Sequence, residues 1–371
     1  MIHDPAVVAA RMAFATPWVV LLLLAGAGVA YALRGRDDGP PRAGTTPSPA
    51  VRLPSAAPSA NASPPPGADL TGPFNLLLVG VDTRVTIPDW RPHADSIMVL
   101  HVEAGLRSAY LFSLPRDLRV DIPAFPANGY GGGRHKITEA MAYGSRVRGS
   151  DKADVAQGYL LLGRTVAAYM GLKRFDAGAV LTFGGLDKLT DALGGVTLTI
   201  DQRVRSEHRQ PDGSARPPRP GGNGYVGPQA VYQPGVRKLT GWQAIDYARQ
   251  RYGLPAGDYD RQRHQRQLVR ALFERAGQVG LTTDTARLGR VITALDDAVL
   301  ISGYRPALEY AYALRNLAPS RIVPLALPGR SVFNGGYIGE QLDPLGRNFL
   351  KALAAGRPGP YVRAHPELVS K

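Results

Sequence analysis

Apolar residues first collect, near the start of the chain, into an unbroken and uncharged run from Met12 to Leu33, MAFATPWVVLLLLAGAGVAYAL. About 20 such residues are what a helix needs to cross roughly 30 Å of hydrocarbon. The pattern therefore predicts one transmembrane helix over 12–33 behind a short cytoplasmic N-terminus, 1–11. A cleavable signal peptide competes with it, because Ala30-Tyr31-Ala32 resembles a small-x-small cleavage site, although the run exceeds the usual length of about 7 to 15. From Gly39 to Gly72 the pattern vanishes into Pro, Ala and Ser, as in PPRAGTTPSP and ASPPPG, a composition that stays extended and solvated. Residues 34–72 are expected to be a linker, followed by a folded domain over 73–356 and a C-terminal tail over 357–371.

Beyond the linker the apolar runs shorten. Phe74 to Val79, ended by Gly80, reads as a fully buried strand, and Ser96 to Val102 with Ala109 to Leu114 reads as a hairpin broken at Gly105. Each of the three borders polar residues. Asp82 and Arg84 follow the first strand, Asp95 precedes the second, and Pro115-Arg116-Asp117 follows the third, which can gather these side chains along one sheet edge. Helical spacing then takes over from Ala153 to Met170 and from Leu186 to Leu193, stopped by Gly194-Gly195, before a strand at Val196 to Ile200. Gln210 to Gly235, rich in Pro and Gly, reads as a long surface loop. Thr240-Gly-Trp-Gln243 has capping-box spacing and starts a helix through about Gln250; a second helix runs from Asp260 to about Ala276. Arg321 to Leu327 is strand-like, and a last helix lies near Leu345 to Ala355. The expected class is α/β (α+β): a single domain with a central mixed β-sheet flanked by helices.

Composition narrows the chemistry. The chain of 371 residues, 44% hydrophobic, can bury a large core, and its formal charge of +14 attracts polyanions without choosing among nucleic acid, anionic lipid and phosphorylated glycan. Having no cysteine, it has no disulfides, thiolate metal sites or cysteine nucleophile. There is no Walker A pattern, Gly-x-Ser-x-Gly elbow or His-Glu-x-x-His pair. What stands out is a set of arginines and acids: Asp82, Arg84, Asp95, Arg116, Arg249, Arg251, Asp258, Arg261 and Gln265. The planar fork of arginine binds phosphate oxygens bidentately, and two aspartates facing a pyrophosphate suit Mg²⁺. Arg249 and Arg251 reach one place only if the helix ends between them, as Gly253-Leu-Pro255 suggests. Arg237, Arg270 and Arg275 read as a solvated face.

Together these residues resemble the LytR-CpsA-Psr family of envelope phosphotransferases. The likeness runs through FNLLLVGVDTR, ADSIMVLHV, SLPRD (Ser113 to Asp117), KITEAMAYG, LTFGGLDKLTDALGGVTLTI and LTGWQAIDYARQRYGLPAGDYDRQRHQRQ. It implies a single-pass type II protein of the cell membrane with an external catalytic domain. That reverses the positive-inside count, in which Arg34, Arg36 and Arg42 follow the span. The implied reaction moves a glycopolymer phosphate from a polyprenyl-pyrophosphate carrier to a peptidoglycan hydroxyl, usually the C6 hydroxyl of N-acetylmuramic acid, and releases polyprenyl phosphate. Teichoic acid, arabinogalactan and capsule are candidate polymers. By resemblance Asp82 and Asp95 bind Mg²⁺ (or Mn²⁺). Arg84, Arg116, Arg249, Arg251 and Arg261 grip the pyrophosphate, with Asp258 and Gln265 orienting them. The alternative is a non-catalytic polyprenyl-phosphate-binding protein of envelope assembly or regulation; no nucleic-acid partner is expected. Three positions depart from the family: His93 two before Asp95, His264 three after Arg261, each often arginine, and Thr138, usually asparagine. Apolar residues of Val155 to Val166 can line a prenyl tunnel, with core packing as the stronger expectation. Arg263 and Arg266 are expected to face solvent.

Overall fold

The computed structural model describes residues 67–82, 90–279, 299–314 and 316–370. The expected transmembrane helix, most of the linker and Arg84 lie outside the described residues. Fourteen strands are described: β1 Phe74–Asp82, β2 His93–Val102, β3 Ala109–Leu114, β4 Arg119–Ile122, β5 Gly133–Lys136, β6 Ala177–Thr182, β7 Val196–Ile200, β8 Val204–Arg205, β9 Val231–Tyr232, β10 Gly235–Leu239, β11 Val299–Gly303, β12 Ile322–Leu325, β13 Gly329–Phe333 and β14 Tyr337–Leu342. The helices are α1 Glu139–Gly144, α2 Val155–Met170, α3 Phe183–Ala192, α4 Gly241–Arg249, α5 Asp258–Gln278, α6 Ala307–Leu314, α7 Pro344–Ala354 and α8 Pro358–Ala364.

Six strands form the central mixed sheet in the order β11-β6-β1-β2-β3-β12. Strand β1 runs antiparallel to β2 and parallel to β6, so the chain must cross over between β3 and β6, and α1 and α2 make that crossing. Alternation along the strands divides the core in two. Leu76, Leu78, Met98 and Leu100 meet α3, α4, α5 and α6, whereas Leu77, Val79, Ile97 and Val99 meet α1, α2, α7 and α8. Leu76 and Leu77 are both fully buried, and removing a side chain of this size from water stabilises the fold by about 1.5–3 kcal/mol. Helix α2 lies so close to the sheet that a Cβ on Gly178 would come within 2.0 Å of the Tyr159 hydroxyl, so only glycine fits there.

The residues of 155–166 expected in the core are there: Tyr159, Leu161, Leu162 and Val166 pack in the cluster beneath α2. Two expectations change. Residues 357–370 are not a tail, because α8 follows α7 directly, Val362 and Leu368 are buried, and Ala326 donates to the Leu368 carbonyl at 2.8 Å. The Pro- and Gly-rich stretch from Gln210 is exposed, yet it is tied down by Arg216. That buried guanidinium donates to the carbonyls of Glu207 (2.8 Å), Tyr225 (3.3 Å) and Gly227 (3.2 Å).

Candidate active site

The site forms where β2 enters the sheet. Gly80 faces Ser96 while Val81 faces Ala94, so Asp95 is an extra residue with no partner on β1. Such a bulge bends its strand and re-aims the side chain beside it. Here it also frees the Asp95 carbonyl, which accepts from Arg261 Nη1 at 2.8 Å, while the Asp95 carboxylate takes Nη1 of Arg116 through Oδ1. Asp95 Oδ2 receives no hydrogen bond among the described residues.

Arg116 belongs to the turn after β3. Asp117 beside it accepts from the Tyr337 hydroxyl (3.0 Å) and pairs with Lys136 (3.3 Å). The Lys136-Ile137-Thr138 segment stitches this turn to β2: Ile137 donates to the Leu118 carbonyl (2.8 Å), Thr138 donates to that of Arg116 (3.0 Å), and Ala94 donates to that of Thr138 (3.5 Å). The Thr138 hydroxyl itself is buried without a partner, the one visible cost of the departure at that position. Burial works against the charge of Arg116, but the carboxylates of Asp95, Asp117 and Asp258 outweigh it and raise its pKa.

Helix α4 opens with the expected capping box, Gln243 Oε1 accepting from the Thr240 amide at 3.0 Å. It closes at Arg249, and Gln250 is extended (ψ 136°). This termination is what the spacing of Arg249 and Arg251 requires, and both line one pocket. Helix α5 starts at Asp258, two residues earlier than expected, and the Asp258 Oδ1 atom accepts from Arg261 Nε (2.9 Å) and Nη2 (2.7 Å). Its other oxygen accepts from Gln262 (3.1 Å). Burial lowers the pKa of Arg261, opposed by Asp258 and Asp95 and aided by Arg116.

The result is a polar pocket of about 510 Å³ lined by Asp95, Arg116, Arg249, Arg251 and Arg261. Four guanidinium groups in one concavity are built for an anion with several oxygens. Sequence reasoning missed its far wall, made by Glu207, His208, Asn223, Tyr225, Gln250 and Tyr252. Buried Gln250 holds that wall, accepting from the Glu207 amide (2.8 Å) and donating to Asp246 (2.8 Å). A motif search had no means of finding it, since the contact joins residues 43 apart.

A second cavity adjoins the first. It is a slot of about 60 Å³ between the sheet and helices α3, α4 and α5, lined by Leu78, Met98, Leu186, Ile245, Leu268 and Leu272. Arg249 and Phe183 line both cavities, and the Arg249 guanidinium lies 4.1 Å from the centre of the Phe183 ring. Gln265 lines the slot and not the arginine pocket.

His264 likewise does not line the arginine pocket. It is fully buried, stacked 4.3 Å from the Tyr247 ring, with both ring nitrogens lacking hydrogen bonds; burial, then Arg263 and Arg266, push its pKa down to about 3. Its substitution for arginine therefore removes no ligand from this pocket. His93 Nδ1 lies 3.0 Å from the Arg91 carbonyl. Nor do Arg263 and Arg266 face solvent as expected: Arg263 pairs with Asp201 and Asp260, and Arg266 is buried.

Magnesium needs one or two carboxylates with substrate phosphates completing its shell. Asp95, with one oxygen uncommitted among the described residues and four arginines around it, suits that role, and the Asp82 backbone lies opposite His93 at the end of the same β1–β2 ladder. No group of three or more acidic or histidine ligands occurs among the described residues, so phosphate oxygens and water would supply the rest.

The pattern of the LytR_cpsA_psr family matches residues 50–344. The cell wall biosynthesis protein LcpA of Corynebacterium glutamicum is 26% identical over 78% of this chain and 57% of its own length. A polyisoprenyl-teichoic acid–peptidoglycan teichoic acid transferase, TagU of Enterococcus faecalis, is 26% identical over 61% of this chain and 60% of its own. The chain thus spans less than two thirds of these relatives. The crystal structure of TagU from B. subtilis superposes with a TM-score of 0.52 at 19% identity, covering 76% of this chain and 96% of that one, a likeness of fold.

Proposed function

Since this chain belongs to the LytR_cpsA_psr family, we propose that it is a transferase that moves a glycopolymer phosphate from a polyprenyl-pyrophosphate carrier to a peptidoglycan hydroxyl. The C6 hydroxyl of N-acetylmuramic acid is the favoured acceptor. One observation carries the reading: a pocket of four arginines opens, at Arg249 and Phe183, into a slot with apolar walls. That is the shape of a ligand with a multiply charged head and a hydrocarbon tail. The slot as it stands admits only a few carbons, so a long prenyl chain has to part α3 from α5.

In this reading Arg116, Arg249, Arg251 and Arg261 hold the pyrophosphate, joined by Arg84, and Asp258 keeps Arg261 extended towards it. Gln265 lies at the start of the tail. Asp82 and Asp95 would hold Mg²⁺ (or Mn²⁺), which when bound would neutralise charge on the phosphates. The acceptor oxygen bonds to the glycan-bearing phosphorus, the pyrophosphate bridge breaks, polyprenyl phosphate leaves, and the hydroxyl proton passes to water. Phosphoryl transfer asks mainly for positioning and charge neutralisation, which fixed guanidinium groups supply without a strong nucleophile. The protein works at the outer face of the cytoplasmic membrane, anchored by 12–33.

The test is to purify the full chain in detergent, extract bound lipid for mass spectrometry, and supply a lipid-linked glycan with peptidoglycan and Mg²⁺. Bound polyprenyl phosphate and metal-dependent transfer are expected. Bound lipid without turnover would favour a binding or regulatory protein, and neither would end the proposal.

A further inference from the structure

Helix α5 has a second charged side. Residues Arg261 and Gln265 look towards the candidate site, whereas Arg263, Arg266 and Arg270 line a separate pocket of about 320 Å³, closed by Thr197 and Thr199 of β7 and by Pro324 of β12. The three arginines are not equivalent. Arg263 pairs with Asp201 and, at 2.8 Å, with Asp260, and Arg270 pairs with Glu274 at 3.0 Å.

Arg266 pairs with no carboxylate among the described residues. It is only 5% exposed, and among the described residues its Nε is buried without a partner and its one hydrogen bond is a long donation from Nη2 to Ser370 Oγ at 3.4 Å. Burial, with Arg263 adding to it, lowers its pKa to about 10, so it remains charged at neutral pH. A buried guanidinium without a counter-charge opposes folding, because desolvation is not offset by any Coulomb attraction. Such a group is stabilised when an anion enters beside it.

We infer that this pocket is a second oxyanion site, taking a phosphate group. The donors are of the kind that recognises phosphate, a planar guanidinium set among the threonine and serine side chains of Thr197, Thr199 and Ser370. Its volume exceeds what a lone phosphate fills, so the phosphate of a phosphorylated sugar or alditol fits as well as the free ion. The inference is independent of the transferase reading, since it draws on none of the residues of the front pocket.

Both pockets attract phosphate, so they must be separated. Inorganic phosphate is titrated calorimetrically, at constant ionic strength, into the full chain in detergent carrying Arg249→Ala and Arg251→Ala. One binding event should survive, and adding Arg266→Met should weaken it roughly tenfold or more. Arg270→Gln, at an exposed position where folding is not at stake, should weaken it about threefold. Glycerol 3-phosphate in place of inorganic phosphate distinguishes the sources: tighter binding assigns the site to an esterified phosphate, and equal or weaker binding to the free ion. The inference fails if the front-pocket variant binds no phosphate beyond chloride controls, or if neither Arg266→Met nor Arg270→Gln changes the affinity.

Discussion

Asp258 and Arg261 form a doubly hydrogen-bonded ion pair in the candidate site, and a double-mutant cycle between them measures its coupling. One Asp258 oxygen accepts two hydrogen bonds, at 2.9 and 2.7 Å, from a guanidinium that is 5% exposed. Charge-assisted bonds of this kind contribute about 1.5–3 kcal/mol, and the 28% exposure of the Asp258 side chain argues for the lower end. Asp258→Ala leaves a buried cation with only the Asp95 carbonyl as its acceptor, which should cost about 3 kcal/mol and, in a domain of this size, lower Tm by roughly 6 °C. With Arg261→Met already in place, the same change should cost about 1 kcal/mol. The coupling expected from chemical denaturation of the four proteins is therefore about 2 kcal/mol. Additivity within about 0.5 kcal/mol would mean that Asp258 does not hold Arg261.

Further predictions bear on the pockets, the metal and pH. Arg249→Lys keeps the charge but loses the flat contact with Phe183, so KM for a lipid-linked donor should rise up to about tenfold in steady-state transfer assays. Asp82→Ala should abolish transfer while leaving the circular dichroism melt unchanged, and EDTA should do the same reversibly; full activity in either case removes the metal from the scheme. Leu272→Trp, which fills the slot, should raise KM for long-chain carriers and spare short-chain ones, at a stability cost of about 1–3 kcal/mol. His264 has its pKa lowered to about 3 in the fold, so the unfolded chain binds its proton first as pH falls. Its contribution is present above the ordinary histidine pKa of about 6.5 and is lost below it, by up to about 1.4 kcal/mol per pH unit. His264→Phe should flatten that part of the stability profile between pH 6.5 and 4.5; an unchanged slope would show that His264 is not its source.

What could be read from the chain alone were features that local pattern governs. The strands at Phe74, Ser96 and Ala109 follow from apolar runs, the capping box at Thr240 is written in four consecutive residues, and the end of α4 between Arg249 and Arg251 is announced by Gly253 and Pro255. What escaped depends on distant residues. Leu186, Ile245 and Leu272 look the same whether they fill a core or line a slot, because the difference is how closely three helices approach one sheet. Arg266 reads as one more surface charge, yet in the fold it is buried beside β7 and Ser370. His264 stands where the family often has arginine, whereas its position on α5 turns it towards Tyr247. The far wall of the arginine pocket depends on Arg216 and Gln250, each reaching across a loop whose sequence signals only turns.

The unpaired residue at Asp95 carries a consequence for how the protein can change. Its carboxylate reaches Arg116 and its carbonyl reaches Arg261, 166 residues further on, because β2 is one residue too long for β1. Loss of a single codon there would restore an unbroken ladder and a more regular sheet while uncoupling both arginines from it. Selection for a sturdier scaffold and selection for the site therefore pull on the same codon in opposite directions. Sequences that retain the fold after abandoning its chemistry should show that deletion early.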